Sequence, residues 1–513
     1  MTDRTASDAD DGDPAVPPPP HDGGLVVSEA RGRWVLAATV LGSGLALLDS
    51  TVVNLALPAI GRDLGGGVAG LTWTVNAYTL TLAALILLGG SLGDRLGRRR
   101  IFLVGVALFG VASLLCALAP GITLLIVARA VQGVGAALLT PGSLAIIQAT
   151  FRPEDRSRAI GAWSGLGGVA AAVGPFLGGW LLGVASWRWI FLINLPVVAA
   201  VIVIAARHVP ESREAAPAHG TDYAGAVLAA LGLGALTYGL TAWPGHGATA
   251  LSVLVPLVAG ILALAGFVWW ESLTPHPMLP LNIFSARLFS VTNLVTFPVY
   301  AALGGVFFWL VVTLQVVAGF GPLAAGLALL PVTLLMLMFS SRAGVIGERV
   351  GPRVPMSVGP LVAAVGVALL VRVGPDTAYL TGVLVPVTIL GLGLTLTVTP
   401  LTATALSSAP RERAGLASGV NNAVARTGGL LVVAVLPVLT GLDPSGFADP
   451  AALAPAFRSA MLICAALLAV GGLVAAAFIR APRPVAPPPR ETATCPRHHC
   501  GVDAPPLARA ARH

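Results

Sequence analysis

The chain has 513 residues, of which 56% are hydrophobic and only 10% are charged, whereas soluble domains carry about 25% charged residues. This composition excludes water as the main solvent and predicts a protein that lies mostly within a lipid bilayer. The formal net charge of +7 comes from arginines in short loops between apolar segments, which indicates membrane anchoring and no nucleic-acid partner. The sequence contains no lysine, so it has no GxxxxGKS or GxxxxGKT phosphate loop, and a nucleotide-driven pump within this chain is excluded.

Fourteen apolar segments are long enough to cross the membrane, because a bilayer core of roughly 30 Å needs about 20 residues of helix. Before them, residues 1–33 are rich in Asp, Pro and Gly and are predicted to form a disordered cytoplasmic tail without a cleavable signal peptide. The predicted spans are 34–58, 71–92, 101–119, 122–146, 159–182, 189–206, 224–242, 251–270, 293–314, 322–341, 354–373, 379–404, 414–440 and 458–479.

Arginines are concentrated in alternate loops between these spans. Fifteen lie in the loops on the side of the two termini, and four (Arg62, Arg188, Arg372 and Arg458) lie on the opposite side. Positively charged loops stay in the cytoplasm, so both termini are predicted to be cytoplasmic in a bacterial plasma membrane. The C-terminal residues 481–513 are predicted to form a second disordered cytoplasmic tail. Its CPRHHC segment, residues 495–500, matches no zinc-ligand spacing, so no metal site is predicted.

An internal repeat indicates how the spans are organised. The loop after the second span reads GSLGDRLGRR from Gly90 to Arg99, and the loop after the tenth reads GVIGERVGPR from Gly344 to Arg353. The two copies lie eight helices apart on the same membrane side. This spacing predicts two parallel six-helix halves, residues 34–206 and 291–480, joined by a linker with two extra membrane helices at 207–290.

The repeated loop is a candidate conformational latch, because its glycines allow close helix contact and its acidic side chains can pair with nearby arginines. An ordinary basic turn bound to anionic lipid is the alternative. The latch residues are Gly90, Gly93, Asp94, Arg95, Gly97 and Arg98 in the first copy, with Glu348 and Arg349 in the second. The loop resembles the signature cytoplasmic loop of the major facilitator superfamily.

Further segments resemble particular members of this superfamily. The GPxxGG pattern of the fifth span, formed by Gly174, Pro175, Gly178 and Gly179, is similar to the antiporter motif. LLDSTVVNLALP in the first span, WRWIFLINLP at 187–196 and GPLAAGLALLP at 321–331 resemble the branch of drug:proton antiporters with fourteen spans. The resemblance covers roughly residues 34–480.

This resemblance implies an all-α integral membrane protein with the major facilitator fold and fourteen transmembrane helices. It implies a monomer that exports small amphipathic or antibiotic-like molecules by alternating access, driven by the proton gradient and without a cofactor. A symporter or facilitator of a metabolite shares the fold and is the alternative. An enzyme acting on lipid-linked substrates is disfavoured, because no large polar loop with clustered acids or histidines is present.

Asp49 is the only carboxylate that the predicted spans place deep in the membrane. At about 1.5 Å per residue it lies roughly 22 Å from the cytoplasmic end of its helix. Arg129, in the RAVQG segment of the fourth span, lies at a similar depth, about 20 Å from the same end of a roughly 30 Å core. The resemblance to the superfamily implies that the first and fourth helices both line the central cavity. We therefore expect Asp49 and Arg129 to interact, directly or through water, and to couple proton uptake to transport. In the alternative, Asp49 only fixes its helix by bonding Ser50, Thr51 or Asn54.

Three polar residues are predicted to lie in the substrate cavity. Asn54 follows Asp49 in the first span, and Gln132 lies one turn after Arg129. Arg426 falls deep in the thirteenth span, within NNAVARTGG. An arginine in the membrane indicates function, since its burial in hydrocarbon is costly. For Arg426, contact with an anionic substrate group and bracing of the C-terminal half are both open.

Overall fold

The computed structural model describes residues 24–213, 222–375, 377–408, 414–443, 446–447 and 449–479. All regular structure in these residues is helical, apart from one isolated bridge between Leu25 and Phe151. The α-helices are α1 (Ala30–Leu64), α2 (Gly67–Leu96), α3 (Arg98–Ala117), α4 (Ile122–Thr150), α5 (Pro153–Val184), α6 (Trp189–Leu192), α7 (Asn194–His208), α8 (Tyr223–His246), α9 (Leu251–Leu273), α10 (Arg287–Val316), α11 (Pro322–Leu327), α12 (Leu330–Val350), α13 (Arg353–Leu369), α14 (Val385–Ser407), α15 (Ala414–Thr440) and α16 (Pro450–Phe478).

The described part of the chain contains 13 helical segments that are long and apolar enough to cross a membrane. In this count α6 and α7 form one segment, and α11 and α12 form another. Helix α5, with 32 residues, lies outside the count and adds a further long helix. The all-α fold with fourteen membrane helices is therefore confirmed. The boundaries of the two halves at 206, 290 and 480 stay predictions.

The start of the structured chain is earlier than predicted. Helix α1 begins at Ala30, four residues before the predicted start at Trp34. The Leu25 amide donates to the Thr150 carbonyl at 2.8 Å, and the Arg152 amide donates to the Leu25 carbonyl at 3.2 Å. The predicted tail therefore extends too far, because residues 24–33 contain a strand-like contact and the first helical turn. The C-terminal tail and its CPRHHC segment lie outside the described residues.

Glycines with positive φ set two of the tight turns. The α1–α2 connection contains Gly65, Gly66 and Gly67, all with positive φ, and Gly97, with φ of 111°, separates α2 from α3. Residues with a side chain rarely adopt these angles. The signature loop can therefore reverse direction within one residue between two long helices.

We call the membrane side where α1 begins and α16 ends the tail side, and the opposite side the far side. The two sets of helices α1–α7 and α10–α16 contact each other mainly through α1 with α10, α2 with α15, and α5 with α11 and α12. The extra helices α8 and α9 pack against each other, and α8 also contacts α2 and α15.

The far side is closed by an apolar core that both sets of helices share. Leu57 and Ile60 of α1 belong to the same buried cluster as Trp309 and Leu314 of α10. The Gln315 amide also donates to a backbone carbonyl of α1. On the tail side, a second apolar cluster has all of its buried residues within residues 35–209, and from α15 the partly buried Ala423 packs against it. The principal apolar closure between the two sets of helices is therefore at the far side.

Candidate functional site

Asp49 of α1 and Arg129 of α4 form an ion pair inside the helix bundle. Each residue is only 1% exposed, and the Arg129 Nη1 donates directly to the Asp49 Oδ2. The contact expected from their similar depth is therefore present. A buried pair of charges is strongly desolvated, and it is stable only when further hydrogen bonds satisfy both groups.

Polar side chains from three helices complete the surroundings of the Asp49 carboxylate. The Gln132 Nε2 donates to the Asp49 Oδ1 at 3.0 Å, and the Gln132 Oε1 accepts from the Arg129 Nη1 at 2.7 Å. The Asn194 Nδ2 lies 3.5 Å from the Asp49 Oδ1 and donates to the Ser113 Oγ at 2.9 Å. We call these five residues the ion-pair network. Helices α1, α3, α4 and α7 are thus joined around one carboxylate.

The Arg129 guanidinium is held on its remaining sides by α2 and α6. Its Nε donates to the Thr74 carbonyl at 3.1 Å. The Tyr78 ring lies 4.3 Å from the guanidinium carbon, and the Phe191 ring lies 5.9 Å from it. Aromatic faces attract a cation within about 6 Å. The cation is therefore fixed in place by an anion, a carbonyl and two rings.

The polar neighbours of Asp49 on α1 do not bond its carboxylate. The Ser50 hydroxyl donates to the Leu47 carbonyl at 2.8 Å, and the Thr51 hydroxyl donates to the Leu48 carbonyl at 2.8 Å. The Asn54 amide donates to the Ser50 carbonyl at 3.3 Å. These side chains therefore donate to backbone carbonyls of their own helix and not to the Asp49 carboxylate. The alternative in which Asp49 only braces α1 through them therefore lacks its contacts.

The three predicted cavity residues have different environments. Gln132 is fully buried in the ion-pair network, so its side chain faces Asp49 and Arg129 and is not open to a cavity in this conformation. Asn54 is half-buried, and its side-chain oxygen has no hydrogen-bond partner among the described residues. Arg426 is half-buried on α15. Contact of any of them with substrate stays a prediction.

The signature loop is held by contacts within its own end of the bundle. Asp94 pairs with Arg98 at 2.8 Å. The start of α3 is capped by Glu211, whose two carboxylate oxygens accept from the backbone amides of Arg99 at 3.1 Å and Arg100 at 3.2 Å. In the second copy, Arg349 is exposed in the last turn of α12, and the Glu348 side chain lies outside the described residues. The latch function stays a prediction.

The glycines of the predicted antiporter motif allow close contacts along α5. A Cβ atom at Gly178 would lie 2.6 Å from the Val52 side chain of α1, and one at Gly174 would collide with the Thr51 hydroxyl. A Cβ atom at Gly179 would lie 2.7 Å from the Leu323 Cα of α11. The Pro175 side chain lies outside the described residues. Glycine at 179 therefore permits the backbone contact by which α5 and α11 close the far side.

Comparison with known proteins identifies the family. The family model described as Major Facilitator Superfamily matches residues 39–433. The chain belongs to the major facilitator superfamily. Solved structures with this fold include a D-xylose–proton symporter, with a TM-score of 0.61, 13% identity and coverage of 88% of this chain and 98% of that one. At this identity the likeness shows the fold alone.

Sequence relatives of this superfamily member carry names that refer to resistance and export. The tetracenomycin C resistance and export protein of Streptomyces glaucescens is 36% identical over 416 residues, which cover 80% of this chain and 77% of that protein. The puromycin resistance protein of Streptomyces alboniger is 37% identical over 426 residues, which cover 82% of this chain and 84% of that protein. The cephamycin export protein of Amycolatopsis lactamdurans is 36% identical over 458 residues, which cover 87% of this chain and 92% of that protein.

Several residues of the site were not predicted from the sequence. Ser113 and Asn194 complete the ion-pair network, and Tyr78 packs on Arg129. Asn194 could have been found from the sequence, because it is a polar residue inside the apolar segment that follows WRWIFLI, and such a residue needs a polar partner in the membrane. A second buried carboxylate, Glu271, is 3% exposed near the tail-side end of α9 and accepts from the Leu279 amide. Glu271 lies near the end of its helix, whereas Asp49 lies near the middle of α1. Of these two buried carboxylates, Asp49 is therefore the one deep in the membrane.

We expect Glu211→Ala to lower the melting temperature of the purified protein by about 2 °C, because loss of a helix cap costs roughly 1 kcal/mol. The substitution leaves the amides of Arg99 and Arg100 without their acceptor. Glu29→Ala is the matched control, since Glu29 precedes α1 but its side chain makes no capping bond. Equal melting temperatures for both variants would contradict the capping role.

Proposed function

We propose that this protein exports small amphipathic or antibiotic-like molecules across the bacterial plasma membrane in exchange for protons. The observation that carries the proposal is the buried ion pair of Asp49 and Arg129, because a carboxylate at this depth is expected to be functional. The resistance and export functions in the names of its relatives support outward movement of the substrate. The cytoplasmic location of the tail side is proposed from the arginine-rich loops.

The proposed coupling uses the two states of the Asp49 carboxylate. When α1 and α4 are close, Arg129 neutralises the charge of Asp49, and the side chain needs no proton. When the far side opens to water, a proton taken up by Asp49 releases Arg129 from the pair. On return to the far-side-closed conformation, Arg129 pairs with Asp49 again and displaces the proton to the cytoplasm. Alternating access then exchanges outward substrate for inward protons.

Everted membrane vesicles test both the direction and the coupling, because their lumen corresponds to the outside of the cell. We expect energised vesicles with the protein to accumulate particular compounds from a panel of dyes and antibiotics, and to lose luminal protons as they do so. A protonophore should abolish the accumulation. Accumulation without proton movement would contradict antiport and leave a facilitator. Compound and proton movement in the same direction would indicate a symporter.

A further inference from the structure

Arg426 carries a charge that no described residue neutralises through a direct contact. It lies near the middle of α15 and is half-buried. Among the described residues, no hydrogen bond or ion pair joins it to another side chain or carbonyl. An arginine at membrane depth normally faces a cavity or pairs with a partner, because its burial in hydrocarbon costs several kcal/mol. Arg426 therefore needs a polar space or a ligand.

The packing of α15 places Arg426 on the side of the helix that faces α2. Asn421 and Gly428 lie on the face that contacts α10. Gly419 and Leu430 lie on the face that contacts α2 and α8. At about 100° per residue, position 426 falls roughly 30° from the centre of the face that contacts α2 and α8, and roughly 150° from the face that contacts α10. The half-buried arginine thus borders the junction of the two sets of helices.

Two tyrosines, one on α2 and one on α10, lie near Arg426. Arg426 lies within electrostatic range of the phenol groups of Tyr78 on α2 and Tyr300 on α10. Tyr78 also packs its ring against Arg129. Tyr78 thus lies near both Arg426 and Arg129. We therefore expect a ligand at Arg426 to lie close to the site of proposed proton coupling.

No carboxylate among the described residues is placed to neutralise Arg426. Helices α10, α13, α14, α15 and α16 contain no Asp or Glu, and the only acidic residue of α12 is Glu348 at its tail-side end. Asp49 is 1% exposed and already bonded to Arg129 and Gln132. The counter-charge must therefore come from outside the C-terminal helices.

The neighbours of Arg426 are suited to an oxyanion. Tyr300 is half-buried, and Thr402 of α14, which lies near its phenol group, is exposed. Asn422, one turn before Arg426, is exposed, and its amide nitrogen donates one hydrogen bond to the Ser418 carbonyl at 3.0 Å, which leaves its second N–H for a ligand. A guanidinium with nearby hydroxyl and amide donors binds a carboxylate through charge-assisted hydrogen bonds. The described residues supply no acidic group at this position that would favour a cationic compound.

We propose that Arg426 is a substrate-binding residue and that it selects apolar compounds carrying one oxyanion, such as a carboxylate or an acidic phenol. This inference rests on the proposed export function, whose substrate class it specifies. The oxyanion contacts Arg426, and the apolar body of the compound lies against the helices that border the junction. A neutral ester of the same compound lacks the charge and binds without this contact.

The test uses pairs of fluorescent aryl carboxylates and their methyl esters, including pyrenebutyric acid, added to everted vesicles beside cationic dyes. Wild-type protein is compared with Arg426→Gln and Arg426→Lys. Arg458→Gln is the matched control, because it removes an exposed arginine from α16. We expect Arg426→Gln to reduce carboxylate accumulation at least about tenfold, as for loss of a charged hydrogen bond of roughly 1.5–3 kcal/mol, while export of other compounds persists. Arg426→Lys should recover part of the carboxylate accumulation.

The outcomes separate this inference from the function on which it rests. If vesicles with the wild-type protein accumulate only neutral or cationic compounds, the proposed oxyanion site is wrong, but the proposed export function is retained. If Arg426→Gln lowers the accumulation of all compounds equally, Arg426 has a structural role and the inference is wrong. If the variant accumulates carboxylates as the wild type does, Arg426 does not bind them and the inference is also wrong. Failure of the wild-type protein to move any compound would instead contradict the proposed function itself.

Discussion

Asp49→Asn is expected to abolish proton-driven export and to destabilise the protein. Asparagine cannot carry the proton, and the substitution leaves Arg129 buried without its counter-charge. Removing one partner of a buried pair costs about 3–5 kcal/mol, whereas replacing both partners by neutral residues is often tolerated. Asp49→Asn with Arg129→Gln should therefore recover thermal stability and still fail to export compounds against a gradient.

Thermal unfolding of the purified variants and gradient-driven accumulation in proteoliposomes measure these two effects separately. The stability of the double variant is the control for folding, since an inactive but stable protein shows loss of coupling. Ser50→Ala is a second control, because the Ser50 hydroxyl bonds only its own helix. Retained uphill accumulation by the stable double variant would show that another group carries the proton.

Gly179→Val is expected to hold the far side open and to lower export strongly. A side chain at this position collides with the backbone of Leu323, so the closed conformation becomes strained while the open one does not. Overpacking costs about 1–3 kcal/mol, and such a difference shifts the ratio of two conformations by roughly 5- to 150-fold. Gly183→Val is the matched control on the same helix, because a Cβ atom there meets nothing within 4 Å.

Labelling of a cysteine in the far-side core measures this shift. Ala328 is fully buried in that core, so Ala328→Cys, with the four native cysteines replaced by serine, should react slowly with an impermeant maleimide added from the far side. We expect faster labelling and lower export with Gly179→Val, and unchanged rates with Gly183→Val. Equal labelling of all three proteins would show that the α5–α11 contact does not control closure.

The central contact of the site was predictable from two premises together. Depth in a membrane follows directly from sequence position, and the resemblance to the superfamily implies that the first and fourth helices line the same cavity. A fixed rise per residue and a fixed bilayer thickness place Asp49 and Arg129 at one level without knowledge of the fold. The role of Gln132 was not predictable in this way. It lies on the same helical face as Arg129, and the sequence does not distinguish a side chain turned to a cavity from one turned to the ion pair.

Other contacts depend on chain segments that are far apart in sequence. Ser113 and Asn194 are 81 residues apart and meet only when α3 and α7 pack together. Glu211 caps a helix that begins more than a hundred residues earlier, so no local pattern indicates the cap. The early start of α1 was missed because its first turn, with Arg31 and Arg33, is too polar to be read as a membrane span.

The most direct test of the central claim, that Asp49 carries the coupled proton, compares two modes of transport in proteoliposomes. One is exchange of labelled for unlabelled compound without a pH gradient, and the other is accumulation driven by a pH gradient. Wild-type protein should perform both. The stable Asp49→Asn, Arg129→Gln variant should retain exchange and show no gradient-driven accumulation. Accumulation by this variant at the wild-type level would contradict the claim.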